Sequence, residues 1–261
     1  MKRQRTLLVL GLTALVALAF VTVQARADVY MKQKTHTGAM TMMGQTQPEK
    51  DEIMVYWIGA GKARTDSEGK STLFFADKKV LYALDHSAKT YSEVPMDFDK
   101  MFEEAGEGES EEEKAQAKKM AEMMKGMAQG MMGSMKVSVT ETGETKKIGS
   151  WNCRKYNIDM DMGMMKAKSE AWASEDLKVD YNVYFTMANA MMANMPGFDK
   201  LAQEMKKVKG VIVYQESTTK VMGQDMKSTV EVLEYSEKGA PAGTYEIPAG
   251  YKKVKASNRG F

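Results

Sequence analysis

From Asp28 onward the apolar positions fall in short strand-like runs, some alternating with polar residues, separated by turn signals. "DVYMKQKT" at 28–35 and "IMVYWIG" at 53–59 are rich in β-branched and aromatic residues, and both predict strands. "STLFFADKKVLYALD" at 71–85 predicts two short strands joined at Asp77-Lys78, and "KTYSEV" at 89–94 predicts a third. The alternation returns at "KVSVTET", 136–142, with a reversal expected at Gly143. A long hairpin is expected over 149–176, with a bulge near Arg154-Lys155 where the apolar parity changes. A second hairpin over 210–235 should turn at Gly223-Gln224. "GTYEIPAGYKKV" then ends the fold, with Pro248 suited to an edge or a strand end.

Two stretches break this period. Between Asp97 and Met132 there is no strand signal. A short helix at "DFDKMFEEA" should give way to an acidic, solvated run with seven glutamates among residues 103–113. Ser110 and Glu113 then fit a capping box at the start of a second helix. Met120, Met124, Met127 and Met131 share one face of that helix at steps of four, three and four. Gly126, Gly130 and Gly133 weaken it, each by about 1 kcal/mol relative to Ala. Tyr184, Met187, Ala188, Met191 and Met195 repeat the helical spacing until Pro196-Gly197, and 198–208 predicts one more helix. The expected fold is therefore α+β: a curved antiparallel β-sheet, an open half-barrel, with two methionine-rich helical insertions at about 97–132 and 180–207 packed on one face.

The first residues change the compartment. "MKRQR" is a basic leader, Thr6–Val23 is apolar, and "ARA" at 25–27 has the small-residue spacing that a signal peptidase reads. Residues 1–27 are read as a signal peptide cleaved after Ala27, so the mature chain is expected in the periplasm or secreted. Residues 28–254 are read as one β-rich domain, and 255–261 as a flexible tail. The whole chain has 37 Lys+Arg against 35 Asp+Glu, but the leader holds Lys2, Arg3, Arg5 and Arg26 and no acid. In the mature chain acids outnumber bases by two, which gives no basic surface for nucleic acid. No later stretch is apolar and long enough to predict stable membrane insertion of the mature chain. Cys153 is the one cysteine, so no internal disulfide can brace the fold.

Several phrases carry a family resemblance. "IMVYWIGAGKARTDS", "STLFFADKKVLYALDHSAKTYSEV", "IGSWNCRKYNI", "SEAWASED" and "GTYEIPAGYKKV" resemble secreted bacterial proteins known as domain of unknown function 4412. That family is similar in layout to periplasmic lipoprotein carriers of the LolA and LolB type. The resemblance implies a half-barrel closed by helices over a hydrophobic cavity, and it implies no catalytic residues.

The candidate chemistry is sparse. His36 and His86 are the two histidines, one in a strand and one in a polar turn. No nucleophile–base set, Gly-rich phosphate loop or His/Cys ligand cluster is readable, so the expectation is a non-catalytic protein without a cofactor. The 26 methionines are the distinctive feature. Thioether side chains adapt to partners of loose shape, so Met120, Met124, Met127, Met131, Met187 and Met191 are expected to face a hydrophobic small molecule or a lipidated protein. Thioether sulfur also suits Cu(I), and His36, Met40, Met42, Met160, Met162 and Met164 form the alternative soft-metal set. Exposed methionines could instead buffer oxidants. The remaining alternative is a plain interaction module in which the methionines are core and Cys153 alternates into it beside Trp151.

Overall fold

The row Val29, Ile58, Ala63, Phe74, Leu81 and Val94 crosses six strands as a series of directly paired residues. These six side chains also form one buried apolar cluster. This is period-two alternation turned into packing: every strand contributes one inward residue at the same level. The computed structural model that shows this describes residues 27–42, 45–78, 80–95, scattered positions between 115 and 130, and residues 133–163, 165–179, 198–221 and 223–255.

The strands in chain order are β1 (Val29–Thr37), β2 (Met40–Met42), β3 (Gln45–Gln47), β4 (Lys50–Gly59), β5 (Lys62–Ser67), β6 (Lys70–Phe75), β7 (Val80–Asp85) and β8 (Thr90–Pro95). They continue with β9 (Lys136–Ile148), β10 (Trp151–Asp161), β11 (Met165–Ser174), β12 (Val211–Val221), β13 (Gln224–Glu237) and β14 (Lys252–Lys253). The helix α1 (Phe198–Met205) lies between β11 and β12. Twelve strands form one open sheet in the order β14-β8-β7-β6-β5-β4-β1-β13-β12-β11-β10-β9, and β2 pairs with β3 in a small separate hairpin. Two meanders, β4–β8 and β9–β13, are thus joined by β1, which pairs with β4 on one side and β13 on the other.

The expected α+β layering is wrong. Among the described residues the protein is mostly β, with 61% of them in strands and two short helices. The sheet is also mixed, because β14 runs parallel to β8. Among the described residues the strands bury much of one another's side chains. On β11, Ala171 and Ala173 enter one cluster with Tyr156, Ile158 and Val139, while Trp172 between them enters another with Cys153, Met31 and Val213. Adjacent residues point to opposite sides, so the β9–β13 half packs on both. The methionine spacing reads as a helix face, but spacing alone does not supply something to pack against. Described positions between 115 and 133 are helical, yet Met120 is 54% exposed there. Residues 96–114 and 180–197, which hold the rest of both expected insertions, lie outside the described residues.

The described helix α1 has a definite packing role. Its Met205 and the following Val208 pack against the Tyr156 cluster. Glu204 Oε2 accepts the N–H of Val139 at 2.8 Å, satisfying one backbone donor of the strand at that end of the sheet. Asp199 adds an acid to the first turn, where the helix dipole favours it.

Gly143 does not reverse the chain. β9 continues through it to Ile148, and the reversal comes at 149–150. Arg154 opposes Thr145 while Tyr156 opposes Glu141, so β9 carries the extra residues of a bulge. Gly143 takes φ +81° within it. The irregularity expected near Arg154-Lys155 is therefore present. It does not bring the two parity sets onto one face, since Cys153 and Tyr156 enter different clusters.

Phe74 sits at the middle of the six-strand row and is 2% exposed. Phe74→Ala should cost about 3–5 kcal/mol through lost burial and the cavity left behind. Urea denaturation checks this, and a loss below about 1 kcal/mol would mean that the row does not carry the meander.

Candidate functional site

The methionine face expected at 120–131 is described in part. Met120 is exposed, as is Met123 at 65%. The side chains of Met124, Met127, Met131, Met187 and Met191 lie outside the described residues. The alternative metal set is dispersed among the elements. His36 Nδ1 is paired at 2.7 Å with Asp51, which also takes Lys34 at 2.8 Å. Met40 and Met42 stand in the small β2–β3 hairpin, and Met160 pairs with Val137 and Ala167 near the end of β10. Four strand spacings separate β1 from β10, roughly 19 Å across the sheet. Met162 lies in the β10–β11 turn, and Met164 is outside the described residues. No group of three His, Cys, Asp or Glu side chains suited to a metal occurs among the described residues.

The structure brings together a different set. A cleft of about 510 Å³ opens where β9 and β10 meet the turn after β11 and the segment before β12. It is lined by Thr145, Lys147, Arg154 and Ala173, with Glu175, Asp176 and Lys209 at its rim, and the backbone pair Lys146–Cys153 borders it. Lys146 Nζ lies 3.9 Å from the centre of the Trp172 ring, a cation–π contact that fixes the ammonium. Asp176 accepts the Asn152 backbone N–H at 2.8 Å, and that bond foremost holds its carboxyl below the usual range. Cys153 is buried, and desolvation raises its thiol pKa, which favours packing over reactivity.

Gly210 shapes one side of this cleft. It has φ +88°, and a Cβ there would lie 2.1 Å from the Ser174 carbonyl oxygen. Only glycine lets the chain carrying Lys209 run against the β11 turn. The Lys209 N–H also donates to the Tyr156 hydroxyl at 3.3 Å.

A family model for a domain of unknown function, DUF4412, matches residues 116–251. The chain belongs to this DUF4412 family. The matched residues include β9 to β13 and every side chain around the cleft. The phrases at 53–67 and 71–94 that suggested the same family stand outside that span. A comparison with curated proteins found no match. Among solved structures, PNGF-II in a C2 space group is similar at 11% identity and a TM-score of 0.33, over 87% of this chain. The chain spans 31% of that structure's length, and so distant a likeness carries no argument here.

Tyr251, the last residue of the DUF4412 match, reaches back to the unmatched meander. His86 Nδ1 lies 2.7 Å from its hydroxyl, and His86 Nε2 lies 2.5 Å from Ser71 Oγ. Ser71 donates to Asp66, and Arg64 clasps that carboxylate through Nε at 2.8 Å and Nη2 at 2.7 Å. Arg64 Nη1 also donates to the Thr244 carbonyl at 2.9 Å. One proton placement satisfies the whole chain: Tyr251 donates to Nδ1, Nε2–H donates to Ser71, and Ser71 donates to Asp66. The turn position of His86 gave no sign of this role, because its partners lie 15 and 165 residues away.

Tyr251→Phe removes the terminal donor and should cost about 1 kcal/mol. The amides of Lys252 and Val254, bonded to the Lys89 and Tyr91 carbonyls, should then exchange faster while those of β12 keep their protection. Unchanged exchange at 252 and 254 would show that the relay does not hold the tail.

Proposed function

We propose that this chain is an exported, non-catalytic binding protein that engages a hydrophobic partner, a lipid or a lipidated protein, through the methionines of 115–133. The observation that carries this reading is the exposure of Met120 and Met123, at 54% and 65%. Large apolar side chains on a glycine-containing helical stretch present flexible, polarizable surface that can adapt to a loosely shaped acyl chain. Burying one such side chain against a partner is worth about 1.5–3 kcal/mol.

Two further features support the reading. The Ser71–His86 contact resembles a nucleophile–base pair, but Ser71 is 3% exposed and spends its proton on Asp66. A base would need a free lone pair toward the serine, whereas Nε2 carries the hydrogen in the satisfied network. No described helix is long and apolar enough to cross a membrane. Export is supported by the leader pattern and by Val29, which is already buried in the central row two residues after the A-x-A site.

The mature protein should begin at Asp28, and intact mass of secreted material checks this directly. Mature protein should also raise the fluorescence of a dansyl-labelled fatty acid in a saturable manner. Met120→Ser with Met123→Ser should weaken that binding by about tenfold or more, since two burial terms are lost. Absence of saturable binding, or equal binding by the double variant, would refute the proposal.

A further inference from the structure

We infer that the cleft between β9, β10 and the β11 turn is a binding site for a small multivalent anion, one carrying phosphate or several carboxylate groups. This is independent of the methionine segment. The cleft volume of about 510 Å³ lies in the range of small-molecule sites. Three cationic side chains, Lys147, Arg154 and Lys209, stand around it against two acids, Glu175 and Asp176, while the ammonium of Lys146 is held over Trp172 on the other side of the sheet.

The acids do not neutralise the cations. Asp176 is turned to the Asn152 backbone and side-chain N–H groups at 2.8 and 3.3 Å, so it serves the turn. Among the described residues the Glu175 carboxylate reaches only Arg154, at 3.8 Å, and the second carboxylate on Arg154 is Glu141 at 3.5 Å. Both distances are long for a guanidinium–carboxylate pair, so Arg154 keeps donor capacity for another anion. Among the described residues, the ammonium groups of Lys147 and Lys209 have no ion-pair partner.

The cationic groups come from three segments set at fixed spacing. Lys147 pairs with Asn152 across β9–β10. Lys209 is placed from the far side by the Gly210 approach to Ser174. Ala173, which pairs with Arg154, is small, so the space stays open. A strand edge needs only a charge or two to deter pairing. A cluster of cations around a concave floor instead focuses positive potential where an anion can enter.

Isothermal titration calorimetry with inorganic pyrophosphate and with citrate tests the site. Saturable heat is expected for at least one probe, weakening as sodium chloride is raised. Lys147→Gln with Lys209→Gln should reduce affinity by about tenfold, because both side chains are exposed and outside the apolar clusters. Lys227→Gln with Lys252→Gln, a control pair on other strands, should leave binding unchanged. Amide resonances of Asn152 and Glu175 should shift on titration. No saturable binding to either probe overturns the inference, as does equal loss in both variant pairs or unchanged affinity in the cleft pair.

Discussion

The pairing of β1 on both its edges is the constraint on which the rest depends. β1 takes β4 on one side and β13 on the other, and so makes one sheet from two meanders. Its inward residues divide between two clusters: Val29 joins the row of the first meander, and Met31 joins Cys153, Trp172 and Val213 of the second. Tyr56 and Tyr235, the neighbours of Met31 on either side, pack against both clusters and close the seam. With a single buried cysteine and no disulfide, the backbone ladders of β1 and this apolar continuity together hold the strands in one sheet.

The edges of the sheet show how such a structure avoids further pairing. At one end β9 is bulged opposite Lys155, and Glu204 of α1 takes its Val139 N–H. At the other end the C-terminal segment adds β14 beside β8, held by Arg64, His86 and the Lys253–Glu93 ion pair at 2.7 Å. The two ends serve different purposes. The β8 end is stapled shut by directional polar bonds. The β9 end leaves a cleft whose cations are only partly answered, and that is where an anion finds donors already in position.

Runs rich in β-branched and aromatic residues, bounded by turn signals, were enough to place the strands that carry Val29, Ile58, Phe74 and Leu81. Separately, the phrases around Trp151, Trp172 and Tyr251 carried the family resemblance. The pattern misjudged layering, since the same methionines that fit a helix face do not say whether a sheet is there to receive them. Met120 faces solvent, and the sheet already buries Ala171 and Trp172 on opposite sides, with only Met205 of the short α1 helix packed against the Ala171 cluster among the described residues. The cleft was illegible for another reason. Lys146-Lys147 reads as a solvated pair in sequence, and only the Gly210 approach and the β9–β10 register bring Lys209 and Arg154 to Lys147. His86 likewise looked like an ordinary turn residue until the tail folded back with Tyr251.

The most direct test of the account is whether the two meanders unfold together. Urea unfolding would be followed at Trp57 in β4 and at Trp172 in β11, using variants that retain one tryptophan each. If β1 joins the halves as the shared packing of Tyr56 and Tyr235 requires, both probes should report one midpoint and one slope. Two separated midpoints, with the β4–β8 meander melting independently of β9–β13, would contradict it.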